Sequence, residues 1–164
     1  MQAFKFLFGG IIALVLFSAQ GCTDPNAVID QNTAIANHNW SYVNRVKYDV
    51  KIDDISVPYN LYFNLRVSGN YKYANMFALL IQTSPGKKTH TTRYEFKLAN
   101  KDGEWLGSGS GNLYSFQLPL RTQYKFPAKG VYHFEIEQNM RDNPLHEVID
   151  AGLRVEKAQN TPNN

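Results

Sequence analysis

A single cysteine, Cys22, serves the whole 164-residue chain. A lone thiol cannot close an internal disulfide, which excludes a disulfide-stapled scaffold. Blocks of positive charge are missing as well. The formal charge is +3, one less once Lys5 is discounted with a cleaved leader, and Lys87-Lys88 is an isolated pair. Nucleic-acid binding needs clustered cations, so no nucleic-acid partner is expected. The four histidines, His38, His90, His133 and His146, stand far apart, and no pair has metal-ligand spacing. No G-x-S-x-G elbow or phosphate-binding P-loop is present. No stretch carries sustained helical periodicity. Neither a catalytic residue, a metal nor a cofactor is expected from these patterns.

The N-terminus has the plan of an export signal. Lys5 supplies the positive end, and Phe6 to Phe17 is an apolar run broken only by Gly9-Gly10. That run is too short for a comfortable membrane span, for which about 18 residues are needed, but it suits a signal core. Ser18, Ala19 and Gly21 then lead into Cys22. Residues 1–21 therefore read as a lipoprotein signal peptide, and Cys22 as the new N-terminus and lipid-attachment site. Two or more acyl chains give stable membrane anchoring. Ala19, three residues before the cysteine, departs from the usual leucine-like residue there. An ordinary signal peptide with an incidental cysteine, or an uncleaved anchor, are the competing readings. Residues 22–38 are rich in Asn, Ala and Gln, with little periodicity, and read as a flexible tether. Ala34-Ile35-Ala36 is a candidate for a short edge pairing. A folded domain is expected over 39–158, with a polar tail over 159–164.

The core of that domain is legible at Tyr59–Thr83. Tyr59, Leu61, Phe63, Leu65 and Val67 alternate with Asn60, Tyr62, Asn64 and Arg66, the period of a strand with one buried face. Met76 to Ile81 is apolar on both faces, which places it in the middle of a sheet or between layers. Further alternating strands are expected at Val46–Ile52, Thr92–Leu98, Tyr114–Leu120 and Tyr132–Ile136, with a short one at Leu153–Val155. Pro119 suggests an edge or a bulge, and Asn139–Ile149 reads as a loop. The pitch of strands and turns predicts an all-β fold, an antiparallel β-sandwich of jelly-roll or immunoglobulin-like topology.

Few side chains suggest chemistry. Asn100, Asp102 and Glu104 are oxygen donors at alternate positions, but Gly103 is misplaced for a calcium loop, so a plain turn is favoured. Glu135 and Glu137 share one strand face, as solvent-side alternation alone requires. Trp105 stands in a glycine-rich stretch, Gly103 to Gly111. Its indole either anchors a partner or a sugar, or folds back to plug the sandwich end. With Tyr62 and Tyr73 it forms the candidate set for partner or glycan contact.

Several strings bear a family likeness. They are Tyr59 to Arg66, Tyr71 to Phe77, Asp102 to Gly107, Phe126-Pro127 with Gly130-Val131-Tyr132, Glu135 to Arg141, and Asp150 to Lys157. In this order they resemble the gliding motility-associated lipoprotein family GldH of the Bacteroidota, over about Trp40 to Lys157. The resemblance implies a membrane-anchored lipoprotein of the cell envelope, required for gliding in gliding species. It would act beside other gliding and type IX secretion proteins, with outer-membrane placement facing the periplasm, or cell-surface exposure as the alternative. It implies no enzymatic activity and no catalytic residues. A lipid-anchored glycan-binding module is the alternative function.

Overall fold

The computed structural model describes residues 24–86 and 88–159. The signal segment, Cys22 and residues 160–164 lie outside the described residues. Eight long strands carry the fold: β1 (Ala27–Ala34), β3 (Val46–Ile52), β4 (Tyr59–Ser68), β5 (Asn75–Thr83), β6 (Thr89–Lys97), β8 (Leu113–Tyr124), β9 (Gly130–Gln138) and β11 (Val148–Lys157). Three short ones, β2 (Asn39–Trp40), β7 (Ser108–Ser110) and β10 (Leu145–His146), trim one end. One sheet runs β1-β11-β4-β8-β7 and the other β3-β9-β5-β6.

That order is a jelly roll. Among the long strands the first pairs with the last, the second with the seventh, the third with the sixth and the fourth with the fifth, all antiparallel. One long ribbon of paired strands is thus rolled on itself, so each sheet receives alternate pairs. The immunoglobulin-like alternative is set aside by this order.

The alternation read in the sequence is the alternation seen. In β4, Leu61, Phe63, Leu65 and Val67 are fully buried while Asn60, Tyr62, Asn64 and Arg66 face outward. In β3 the charged Lys47, Asp49 and Lys51 face out and Val46, Tyr48, Val50 and Ile52 face in. β5 lies inside its sheet, between β9 and β6, with Met76, Ala78 and Leu80 buried. Its other face, Phe77, Leu79 and Ile81, is half-buried on the outside of the sheet. Pro119 sits on β8 beside a register shift between Leu61 and Tyr62 of β4. There β8 bulges, and its other side runs free beyond the short β7 pairing.

Three expectations need correction. Residues 22–38 are not one tether, and the domain does not begin at 39. Ala27–Ala34 is β1, paired along its length with β11, and the Ile35 amide continues the pairing to Ile149 O at 2.9 Å. Most of its side chains are exposed, so backbone pairing holds it and the apolar pattern that betrays a strand is missing. The Thr33 hydroxyl meets the Tyr48 hydroxyl at 2.9 Å and ties this edge across to β3. Second, the C-terminal strand is ten residues long, not a short piece at Leu153–Val155. Gly152 has no Cβ because β1 lies on it: a methyl there would stand 2.4 Å from Gln31 O. Third, the loop expected over Asn139–Ile149 contains β10, which pairs with Trp40. Trp40 is wholly buried, and its indole nitrogen donates to Asn44 O at 2.9 Å.

Candidate interaction surface

One end of the sandwich gathers the loops β4–β5, β6–β7 and β9–β10. This upper end brings together three of the sequence strings singled out above. Leu98 and Ala99 amides donate to Ala74 O, the Asn139 amide donates to Phe77 O at 2.8 Å, and Leu106 donates back to Leu98 O. Ala99 and Trp105 form an isolated bridge. Gly107 lets this loop lie against β8, since a Cβ would meet Ser115 O at 2.6 Å and the Phe116 ring at 2.8 Å.

Trp105 folds back here. Its ring centroid lies 5.4 Å from Tyr114, 6.3 Å from Tyr71 and 6.5 Å from Phe116. It is half-buried, and its neighbour Leu106 is left 57% exposed. Of the two roles open to this indole, the geometry is that of the plug.

Beside the plug is a cleft of about 450 Å³ lined by Tyr73, Phe77, Arg93, Asn139, Met140, Arg141 and Asp142. The Arg93 guanidinium lies 4.0 Å above the Phe77 ring and donates to Asn139 Oδ1 at 2.7 Å. The Tyr73 hydroxyl donates to Asp142 at 2.5 Å, and Lys72 Nζ approaches the same oxygen at 3.5 Å. The bond from Tyr73, reinforced by the Lys72 charge, holds the Asp142 carboxyl below its ordinary value. Tyr71 is pushed far up, chiefly by burial. The cleft thus offers an apolar floor, two guanidinium groups and one carboxylate, a combination suited to holding a polypeptide surface.

The other singled-out residues are placed elsewhere. Tyr62 is half-buried on the outer face of the five-stranded sheet, in the setting of Glu156 and Arg154. Tyr73 and Trp105 both touch Tyr71, so the fold joins these two and leaves Tyr62 apart. The three aromatics form no single platform, and neither tyrosine is freely exposed. Glu135 and Glu137 share Arg45, at 3.1 and 2.6 Å, and so neutralise each other's repulsion through one cation. Asn100 Oδ1 accepts the amides of Asp102 and Glu104, both at 2.9 Å, which makes the oxygen-rich stretch a closed turn. All four histidines are exposed; His133 meets Asp49 at 2.5 Å. Among the described residues no group of three or more His, Cys, Asp or Glu is placed to hold a metal, and no helix is long and apolar enough to cross a membrane.

Sequence reasoning missed one cluster, the Arg154 hub. Arg154 on β11 is mostly buried and is shared among Asp24, Asp30 and Glu156. A depression of about 500 Å³ opens beside it. Its guanidinium is already spent on three carboxylates, so it offers no free charge to a ligand. No local pattern announces it, because Asp24 lies 130 positions away in the chain.

The fold and its cleft define a class: a small jelly-roll β-sandwich with an open cleft among the loops of one end. Within that class the family is specific. The model of the GldH lipoprotein family matches residues 27–155, starting at the first residue of β1. The chain is 30% identical over 162 residues to the gliding motility lipoprotein GldH homolog of Christiangramia forsetii, covering 94% of this chain and 96% of that protein. It is 29% identical over 154 residues to the gliding motility lipoprotein GldH of Flavobacterium johnsoniae, covering 90% and 92%. The chain belongs to the GldH lipoprotein family.

Proposed function

We propose that this protein is a non-enzymatic component of a gliding motility apparatus linked to type IX secretion. It is held by acyl chains on Cys22 in the outer membrane, facing the periplasm, and it works by binding other envelope proteins. The observation that carries the reading is the family match over residues 27–155, whose relatives are named gliding motility lipoproteins. The upper cleft is the surface assigned to the partner, because two of the strings that carry the family likeness line it and a third, around Trp105, packs beside it.

Deletion of the gene tests the cellular role. The expected outcome is loss of surface spreading together with reduced secretion of surface proteins. A deletion strain that spreads and secretes like its parent removes the reading. Crosslinking of the acylated protein should capture envelope proteins, and Arg93→Glu with Asp142→Lys should lose them while the protein still folds. A glycan array with the parent and Trp105→Ala decides the alternative: binding on the array that Trp105→Ala abolishes would replace a protein partner by a sugar.

A further inference from the structure

The end opposite the cleft, here the lower end, receives the N-terminal chain. The Ala27 amide closes a turn onto Asp24 O at 3.1 Å, the Lys157 amide donates to Asn26 O at 2.9 Å, and Arg154 grips the Asp24 carboxylate. Only Thr23 separates this fixed point from Cys22. Two residues reach about 7 Å at full extension. The inference rests on the acylation of Cys22 proposed above. Given that anchor, the body cannot swing away on a long linker, and some part of it must touch the headgroups.

Charge decides which part. The strand ends and turns at the lower end expose Lys51, Lys88, Lys125, Lys129 and Lys157; against them stand Asp53, which pairs with Lys51 at 3.1 Å, and the half-buried Asp54. They belong to one rim. Lys51 pairs in register with Val131, the Tyr59 hydroxyl donates to Asp54 O at 2.6 Å, and a Cβ on Gly130 would meet Pro85 at 2.8 Å. The Asp54 carboxyl is held below its ordinary value, first by Ser56 and then by Lys157 and Lys129 nearby. Two apolar side chains, Ile55 at 38% and Val131 at 40% exposure, stand among the lysines. The competing surface is the outer face of the five-stranded sheet. It carries Asp24, Asp30, Asp150 and Glu156, and its arginines, Arg66 and Arg154, are already paired with those acids. Such a face is repelled by anionic lipid, whereas lysines beside apolar side chains suit it.

We propose that the lysine rim of the lower end lies on an anionic phospholipid surface, which fixes the body upright and turns the Tyr73–Asp142 cleft away from the membrane. The ten-residue β4 is about 33 Å long at the usual rise per residue. Membrane charge is screened over about 8 Å at physiological salt, so it acts on this end alone.

The test uses the mature acylated protein reconstituted in phosphatidylcholine vesicles containing phosphatidylglycerol and a headgroup-borne quencher. Cys22 is the only cysteine and is occupied by lipid, so Ile55→Cys, Gln117→Cys and Tyr42→Cys each provide one label site: lower end, outer face and upper end. Strong quenching at Ile55→Cys, with little at the other two, supports the orientation. Lys125→Glu with Lys129→Glu and Lys157→Glu should cut the Ile55→Cys quenching without changing flotation with the vesicles. Raised salt, or phosphatidylcholine alone, should do the same without any substitution. Equal quenching at all three sites, or strongest quenching at Gln117→Cys, with flotation intact, overturns the orientation and leaves the anchor standing. Quenching unaffected by charge reversal, salt and lipid charge overturns the role of the lysines. Failure of the unlabelled protein to float overturns acylation itself, and the orientation with it.

Discussion

The two ends of the sandwich are made of the same materials, tyrosine and phenylalanine under loops, yet they are closed differently. At the lower end Tyr59, Tyr124, Phe126 and Tyr132 pack edge-on or tilted at 4.6 to 5.3 Å between centroids. Their hydroxyls are satisfied locally where they are buried: Tyr59 donates to Asp54 O and Tyr132 to Ala128 O. Phe126 is 2% exposed. At the upper end the packing is looser. Trp105 is half-buried, Leu106 is out in water, and Tyr73 binds a solvent-side carboxylate. A closed end serves stability and a fixed outer surface. An open end keeps polar groups and apolar area available for another molecule. The difference teaches that aromatic content alone does not decide whether an end is closed; the burial of its hydroxyls and the closure of its loops do.

The sharpest way to break this comparison is truncation. Phe126→Ala should cost about 3–5 kcal/mol in urea unfolding, as for other fully buried phenylalanines. Trp105→Ala should cost less, about 1–3 kcal/mol, because part of the indole is already hydrated and the loop can settle onto Tyr71. Equal losses at the two positions would erase the distinction between closed and open ends. Next in size is Gly152→Ala. Its methyl collides with the Gln31 carbonyl, which cannot rotate away, so β1 should detach at a cost of about 2–3 kcal/mol. Limited proteolysis should then cut within Ala27–Ala34, and unchanged resistance would mean that β1 contributes little to the folded body.

Arg66→Ala removes the partner of Asp150, which is 2% exposed and has one oxygen without a hydrogen-bond donor. Arg66 itself is partly solvated, so a cost of about 2 kcal/mol is expected, below the 3–5 kcal/mol of a fully buried pair. The smallest effect is at the cleft. Asp142 has a depressed folded pKa, so its contribution is present above the ordinary value of 3.8 and is lost as pH falls through the lower folded value. Carboxyl NMR should place its titration below 3.8, and Tyr73→Phe should move it back up. A midpoint unmoved by Tyr73→Phe would remove Tyr73 as the cause.

How much of this was legible in the sequence varies by element. β3, β4, β5 and β9 announce themselves because each buries one face or both, and burial imposes a period on the residues. β1 does not, since an edge strand held by its backbone to β11 needs no apolar side chains. A different cause hid the length of β11, an interior strand between β1 and β4: its central Ala151 and Gly152 are small where β1 comes close, which breaks the large apolar alternation. Near the candidate site, Trp105 stood out as an aromatic in a glycine-rich stretch, and Tyr73 was grouped with it as a candidate contact. Of the residues that line the cleft with Tyr73, Arg93 and Asp142 carry no local signal and meet it only through the roll.

By itself the sequence determined a single cysteine, an all-sheet body and a family, because periodicity, composition and ordered strings are properties of the chain read in line. Only the tertiary structure decided that β1 belongs to that body, that Tyr62 is parted from Trp105, and that five lysines share the end where the chain enters. Those are facts of adjacency between distant residues, and a rolled ribbon sets them by pairing its first strand with its last.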